Sequence, residues 1–255
     1  MQHILHNRGN RLFLILGGFF IANAIIAEFI GVKIFSFEAT MGMSPWQWTL
    51  FGQTRQLDLT AGVLLWPIVF VMTDIINEYF GRKGVRFLSY LAACLIAYGF
   101  VMVYSAIQLA PNDWWEGSGQ GRGIPSMQSA FSAIFGQGLW IIVASLIAFL
   151  VGQILDAFIF YKIKSRFGEG GIWIRATVST LASQLIDSYL VLYIAFVVGS
   201  DWSVNQFLAV GTVNYVYKVS VAVLLIPVLY LVHQAINRYL GQELAEKMRQ
   251  DALQS

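Results

Sequence analysis

Six ionisable side chains fall inside the apolar stretches of this 255-residue chain: Glu28, Asp74, Glu78, Asp156, Asp187 and Lys218. Moving a charged side chain into hydrocarbon costs at least about 2.5–3.5 kcal/mol, so such groups are kept where they face a bundle interior or a cavity. Their spacing makes them converge. Asp74 and Glu78 are four residues apart with Asn77 on the same side, Thr180, Ser183, Gln184 and Asp187 form a second helical stripe, and Asn214 and Lys218 are again four apart. Three helices, each with one polar face, read as walls of a common cavity. A fourth segment carries Gln153 and Asp156, whose Gln-x-x-Asp spacing recurs at Gln184 and Asp187 and hints at an internal repeat.

Depth along the helices sorts these groups. At about 1.5 Å rise per residue, Asp187 and Lys218 each lie about twelve residues from the nearest end of their segment, near the membrane midplane, where they are expected to pair. Asp74, Glu78, Asp156 and Arg175 fall within about two turns of the inner ends, where carboxylates and an arginine can form a closing network that includes Gln153. Glu28, near the outer end of the first segment, is expected to reach the interface.

The elements that must hold these groups follow from composition. Hydrophobic residues make up 57% of the chain and charged residues 12%, against about 25% charge in soluble domains, and the mean hydropathy is +0.65. Six runs are long enough to cross a hydrocarbon core, at 12–32, 61–80, 86–110, 131–161, 175–198 and 206–236. The predicted fold is therefore all-α, a polytopic bundle of six transmembrane helices forming one domain over residues 1–255. The first run lacks a small-x-small cleavage site and reads as a retained helix, not a signal peptide. Alternating six helices places twelve of the sixteen Lys and Arg residues on one side and Lys33, Arg55 and Arg122 on the other, with Lys218 inside the last helix. By the positive-inside rule both termini are cytoplasmic.

Between the first two helices, residues 34–60 read as short extended pieces at the outer interface, with Trp46 and Trp48 suited to the headgroup belt. Residues 111–130 read as an irregular outer loop with room for a short interfacial element. Cys94, the one cysteine, reads as a small core residue. No G-x-x-x-x-G-K-[ST] or G-x-G-x-x-G string is present, so the chain is not its own ATPase. There is no His-Glu-x-x-His site, and His3, His6 and His233 are terminal or near an interface, so neither a metal nor a cofactor is expected. An intramembrane aspartyl enzyme built on Asp74 and Asp187 is the alternative from another class. Lys218 at the depth of Asp187 argues against it, because a nearby cation keeps a carboxylate ionised where a dyad must share a proton.

The strings TDIINEYFGRKGVR and RATVSTLASQLIDSYLVLYIAF resemble the queuosine precursor transporter family, a vitamin uptake family related to the substrate-binding subunits of energy-coupling-factor transporters. The resemblance covers most of the chain. It implies a transporter, not an enzyme, that imports a 7-deazaguanine, the 7-cyano or 7-aminomethyl form, across the bacterial cytoplasmic (inner) membrane. It leaves open a homo-oligomer, a separate ATPase partner, and another vitamin or nucleobase as substrate. Nucleic acid is not an expected partner. The residues suit such a solute: a guanine-like edge offers two adjacent donors, and a carboxylate accepts both in a bidentate pair. The candidate binding residues are Asp187, Gln184, Lys218, Asn214, Asp74, Asn77 and Glu78, with Gln153, Asp156 and Arg175 as an inner gate or structural ion network.

Overall fold

The structure is a computed structural model that describes residues 7–136, 139–167, 172–199 and 201–253. It is mostly helical. Helix α1 (Arg8–Ile30) starts at Asn7, whose side chain accepts the Gly9 N–H at 2.8 Å. It exposes Leu14, Ile15, Phe19 and Ile26 and buries Gly17, Phe20, Ala24 and Ala27. The small buried residues Gly17, Ala24 and Ala27 let neighbouring backbones approach closely, which holds helices together in lipid.

The chain then leaves helix for strand β1 (Ile34–Ser36), helical turn α2 (Phe37–Thr40) and strands β2 (Trp48–Leu50), β3 (Gln53–Arg55) and β4 (Asp58–Thr60). β1 pairs antiparallel with β4, and β2 with β3. The β2–β3 loop is Phe51 and Gly52, with φ of 52° and 73°, the two-residue geometry that matches strand twist. Buried Glu38 accepts the Leu57 N–H at 2.9 Å and the Ser36 hydroxyl at 3.1 Å, fastening the ribbon. The extended pieces read from the sequence are thus paired strands, and the purely all-α description gives way to a mostly helical one.

Helix α3 (Trp66–Ile107) is 42 residues long, about 63 Å at the helical rise and so about twice the hydrocarbon thickness. It is not one straight rod. Gly81 has φ 67° and ψ −172°, a conformation open to glycine alone among common residues. Contacts with α1 give the directions of the two halves. Phe13 packs on Phe80 at a ring separation of 4.9 Å, whereas at the other end of α1 a Cβ on Gly62, just before α3, would fall 2.7 Å from the Ala27 carbonyl oxygen. The first half therefore runs antiparallel to α1. Beyond the break, Phe87 lies 6.4 Å from Phe13, and Phe100 lies 5.4 Å from Phe29, so the second half runs parallel to it. The predicted runs 61–80 and 86–110 are these two halves, joined at one non-helical residue instead of a loop. The first half begins at Trp66, with Pro67 in its first turn, where a missing N–H costs nothing.

Two short helices follow, α4 (Asp113–Gly117) and α5 (Met127–Phe135), each capped by a side chain, from Asn112 and Ser126. Gln128 ties them back, donating its N–H to Glu116 Oε2 at 2.9 Å and its Nε2 to the Ile107 carbonyl at 2.8 Å. The run predicted at 131–161 begins inside α5, and the long helix is α6 (Leu139–Phe167). α7 (Ile172–Leu192) continues as a π-helical segment, Tyr193–Val198. The last predicted run, 206–236, divides into α8 (Val204–Leu224) and α9 (Ile226–Leu240), because Pro227 lacks the N–H to continue the ladder. After Gly241, at φ 83°, helix α10 (Gln242–Leu253) folds back onto the bundle, with Met248 against the core and the Tyr161 hydroxyl donating to the Leu253 carbonyl at 3.2 Å.

Among the described residues, five helices are long and apolar enough to cross a membrane, the broken α3 being one. A buried apolar core joins α1, α3 and α6 through Phe20, Val69, Ile75, Ile76, Phe149 and Phe160. Cys94 is not in it. The cysteine is exposed on the outward face of α3, because the residues beside it, Ala92, Ala93 and Ile96, take the buried positions of that turn.

Candidate functional site

The polar residues separate into two groups. The first surrounds a cavity of about 370 Å³ near the ribbon end of the bundle, within the size range of small-molecule sites. Lys218 on α8 donates to Asp187 Oδ2 on α7 at 2.5 Å, and Asn214, one turn from Lys218, shares the wall. The pair forms because α7 is held close on both sides. Gly211 leaves room for the Tyr189 ring, whose hydroxyl meets Thr212 Oγ1 at 2.8 Å, and Gly152 of α6 lies where an added Cβ would be 3.6 Å from Asp187 Cβ. Trp66, Phe149 and Phe196 supply flat apolar faces, and Ile34, Thr60 and Ala133 bring the two irregular segments to the rim. The π-helical segment contributes Ala195 and Phe196, and such a widened turn re-aims side chains that a regular helix would point elsewhere.

Glu28 belongs to this group. It is 7% exposed and lines the cavity with Asp187, beside the Ser145 hydroxyl. The expectation that it reaches the interface is therefore corrected. The strand ribbon and α5 extend the bundle past the end of α1 and enclose a side chain that helix length alone would put at the headgroups.

The second group is a buried seam between α3, α6 and α7. Ser179 and Thr180 donate to the two oxygens of Asp74 at 3.3 and 3.4 Å, and Ser183 donates to Asp156 Oδ1 at 3.1 Å. Asn77 donates to the Ala157 carbonyl at 3.0 Å, and Thr73 to Gln153 Oε1 at 2.5 Å. Glu78 is paired with Lys164 at 3.2 Å, and the same ammonium donates to the Glu78 carbonyl at 2.8 Å. Lys164, only 2% exposed, is a member that sequence reasoning missed. Its signal was present, since Gln153, Asp156, Phe160 and Lys164 continue one stripe at helical spacing. Gln184 is buried in α7 but does not line the cavity, and Asp74, Asn77 and Glu78 do not either. The Arg175 side chain and His3 and His6 lie outside the described residues. His233 contacts Tyr79, with its Nδ1 2.9 Å from the Tyr79 hydroxyl, which also donates to Asn237 Oδ1 at 2.9 Å.

Residues 60–232, which include both groups apart from Glu28, match the family model described as "Putative vitamin uptake transporter". The chain belongs to this family. Members of the vitamin uptake transporter family are multi-pass membrane transporters and not enzymes, and the apolar helices agree with that class. The chain is 28% identical over 200 residues to the "Queuosine precursor transporter" of Escherichia coli (strain K12), covering 77% of this chain and 80% of that one. It is 27% identical over 190 residues to the "Probable queuosine precursor transporter" of Bacillus subtilis (strain 168), covering 73% and 75%. The corresponding protein of Haemophilus influenzae is 24% identical over 194 residues. No solved structure matches the chain significantly. These relatives make the chain similar to queuosine precursor transporters, and the family model starts at the threshold of the cavity.

Proposed function

We propose that this vitamin uptake transporter imports a 7-deazaguanine precursor of queuosine across the bacterial cytoplasmic membrane. The observation that carries the reading is the cavity of about 370 Å³ with the Asp187–Lys218 pair, Asn214 and three aromatic faces on its wall. A planar bicycle stacks on the aromatic faces, Asp187 accepts the two adjacent donors of its guanine-like edge, Lys218 holds that carboxylate in place through their ion pair, and Asn214 reads the neighbouring carbonyl. Gln184, one turn before Asp187, supports the orientation of the helix that presents it. In this reading the seam of Asp74, Asn77, Glu78, Gln153 and Asp156, with Arg175 at its inner end, closes the cytoplasmic side.

The reading takes the two oppositely directed halves of α3 as separate crossings, which gives one domain of six crossings. Arg82, Lys83 and Arg86 at the break and the basic chain termini then lie in the cytoplasm, and the ribbon outside. An impermeant thiol reagent labels a cysteine introduced at Asn112 in intact cells and spares one at exposed Ser165; the opposite pattern inverts the topology. The decisive experiment is uptake in cells that cannot make queuosine precursors. Expression of the chain restores queuosine in tRNA when a 7-deazaguanine is supplied, with no competition from ordinary guanine. Failure to restore it, with the protein folded in the membrane, removes the reading.

A further inference from the structure

Where the two halves of α3 reverse at Gly81, the chain sets three cations close together, Arg82, Lys83 and Arg86. None of the three has an ion-pair partner among the described residues. Arg82 is held in place all the same. Its guanidinium lies over the Tyr161 ring of α6, 3.7 Å from the centroid, and the Tyr161 hydroxyl is itself fixed on the Leu253 carbonyl. The Nε of Arg82 is buried without a hydrogen-bond acceptor. Arg86, one turn further along, is exposed, so two guanidiniums share a helix face at the spacing where like charges repel. Orienting a membrane helix takes only cations in the right loop, and solvated lysines would serve. An arginine fixed against a ring with a second aligned on it goes beyond that need, and an anion between the two offsets their repulsion. The same face continues at intervals of four through Tyr90, Cys94 and Tyr98, all exposed, with Phe87 beside them. From Arg86 to Tyr98 this is about 18 Å of helix surface without a charge.

We infer that this face of α3 binds an anionic phospholipid, with the phosphate between Arg82 and Arg86 and an acyl chain along Phe87, Tyr90, Cys94 and Tyr98. The inference goes beyond the import reading and does not depend on it. Guanidinium forks match phosphate oxygens in pairs, and the Tyr161 ring fixes one fork in advance, so less freedom is lost when the lipid docks. Lys83 adds a third positive charge at the headgroup. A basic cluster at the membrane surface favours lipids with a net negative charge, because the ammonium of a zwitterionic headgroup offsets its own phosphate. The bound headgroup takes the place of the carboxylate partners that the three cations lack.

Native mass spectrometry of the purified full chain, released from micelles with equal amounts of dioleoylphosphatidylglycerol and dioleoylphosphatidylcholine, tests it. The wild type retains phosphatidylglycerol over phosphatidylcholine by at least about tenfold, as several cations near one headgroup supply. Arg82→Gln combined with Arg86→Gln brings the ratio toward one. Lys33→Gln, which removes an exposed cation at the ribbon end, leaves the ratio unchanged, and millimolar inorganic phosphate does not displace the lipid. A wild-type ratio near one overturns the inference, as does a double variant that keeps the wild-type ratio. An equal drop in Lys33→Gln also overturns it, because the preference then follows overall charge and not this face. Displacement by inorganic phosphate overturns the lipid assignment in favour of a free anion. If the double variant is not monodisperse, Arg86→Gln alone, at an exposed position, decides by the same ratio.

Discussion

The cavity wall and the buried seam are made from the same kinds of residue, carboxylates, amides, hydroxyls and one lysine each, yet they differ in what surrounds them. In the seam Asp74, Asn77 and one oxygen of Asp156 are bonded to neighbouring helices, Gln153 Nε2 and Asp156 Oδ2 are buried without a hydrogen bond, and the space beside Asp74 is only about 20 Å³, room for little more than one water. Around Asp187 the same chemistry faces about 370 Å³ of open volume. In the proposed reading, packing around the groups, not their identity, separates a lock from a binding site. In the seam, hydroxyls at Ser179, Thr180 and Ser183 reach across to Asp74 and Asp156 and fill the gap between helices. At the cavity, the π-helical turn and the irregular segments hold the walls apart.

That contrast breaks most easily at Lys164. Removing one partner of a buried ion pair costs about 3–5 kcal/mol. Lys164→Met is therefore expected to lower the melting temperature and the yield of folded protein more than any cavity substitution does, read by thermal melting in detergent. Near wild-type melting would show that the seam does not lock the bundle. The next effect belongs to Lys218, whose loss removes the ion-pair partner that positions Asp187 and weakens its hold on the ring edge. Lys218→Met is expected to reduce ligand affinity about 30-fold or more, corresponding to the about 2 kcal/mol or more that desolvated pairs contribute, with a smaller change in melting than Lys164→Met.

Much of this contrast was legible in the sequence, and its gaps have physical causes. The Asp187–Lys218 pair followed from depth and helical spacing, because both lie in the regular middle of their helices, where position along the chain converts directly to height. Lys164 was missed because the apolar run appeared to end at 161, although α6 continues to Phe167 and carries the stripe on. Glu28 was misread for the opposite reason. Its enclosure depends on residues 34–60 and on α5, whose paths are set by strand pairing and by individual bonds such as Gln128 to the Ile107 carbonyl, and apolar periodicity carries no trace of either. The break at Gly81 was half visible: two runs were recognised, but a one-residue reversal looks in sequence like a short loop. The division at Leu225 was written in Pro227 and hidden by the apolar residues on both sides of it.

The smallest effect concerns the ribbon that helps hold the cavity open. Burial pushes the Glu38 carboxyl up, but the Leu57 N–H and the Ser36 hydroxyl outweigh it and hold it below its ordinary value. A group with a depressed folded-state pKa contributes stability that is complete above its unfolded value and is lost as the pH falls through the folded one. Glu38→Gln is accordingly expected to melt slightly below the wild type at neutral pH, with the difference closing as the pH drops through the carboxylate range. A difference that does not change with pH would mean that size and packing, not charge, are what Glu38 contributes.

The most direct test of the contrast sets Asp187→Asn beside Glu78→Gln, with ligand affinity by calorimetry and melting temperature recorded for both against the wild type and 7-aminomethyl-7-deazaguanine as the titrant. Asp187→Asn replaces an acceptor oxygen with a donor that faces the ligand's own donors. It is expected to cut affinity about 30-fold or more while melting at a higher temperature than Glu78→Gln. Glu78→Gln removes the carboxylate that pairs with Lys164 and is expected to lower the melting temperature while keeping affinity within a few-fold of the wild type. The reverse result, with affinity lost in Glu78→Gln and kept in Asp187→Asn, would contradict the division into a binding cavity and a locking seam and would place the ligand's carboxylate partner in the seam.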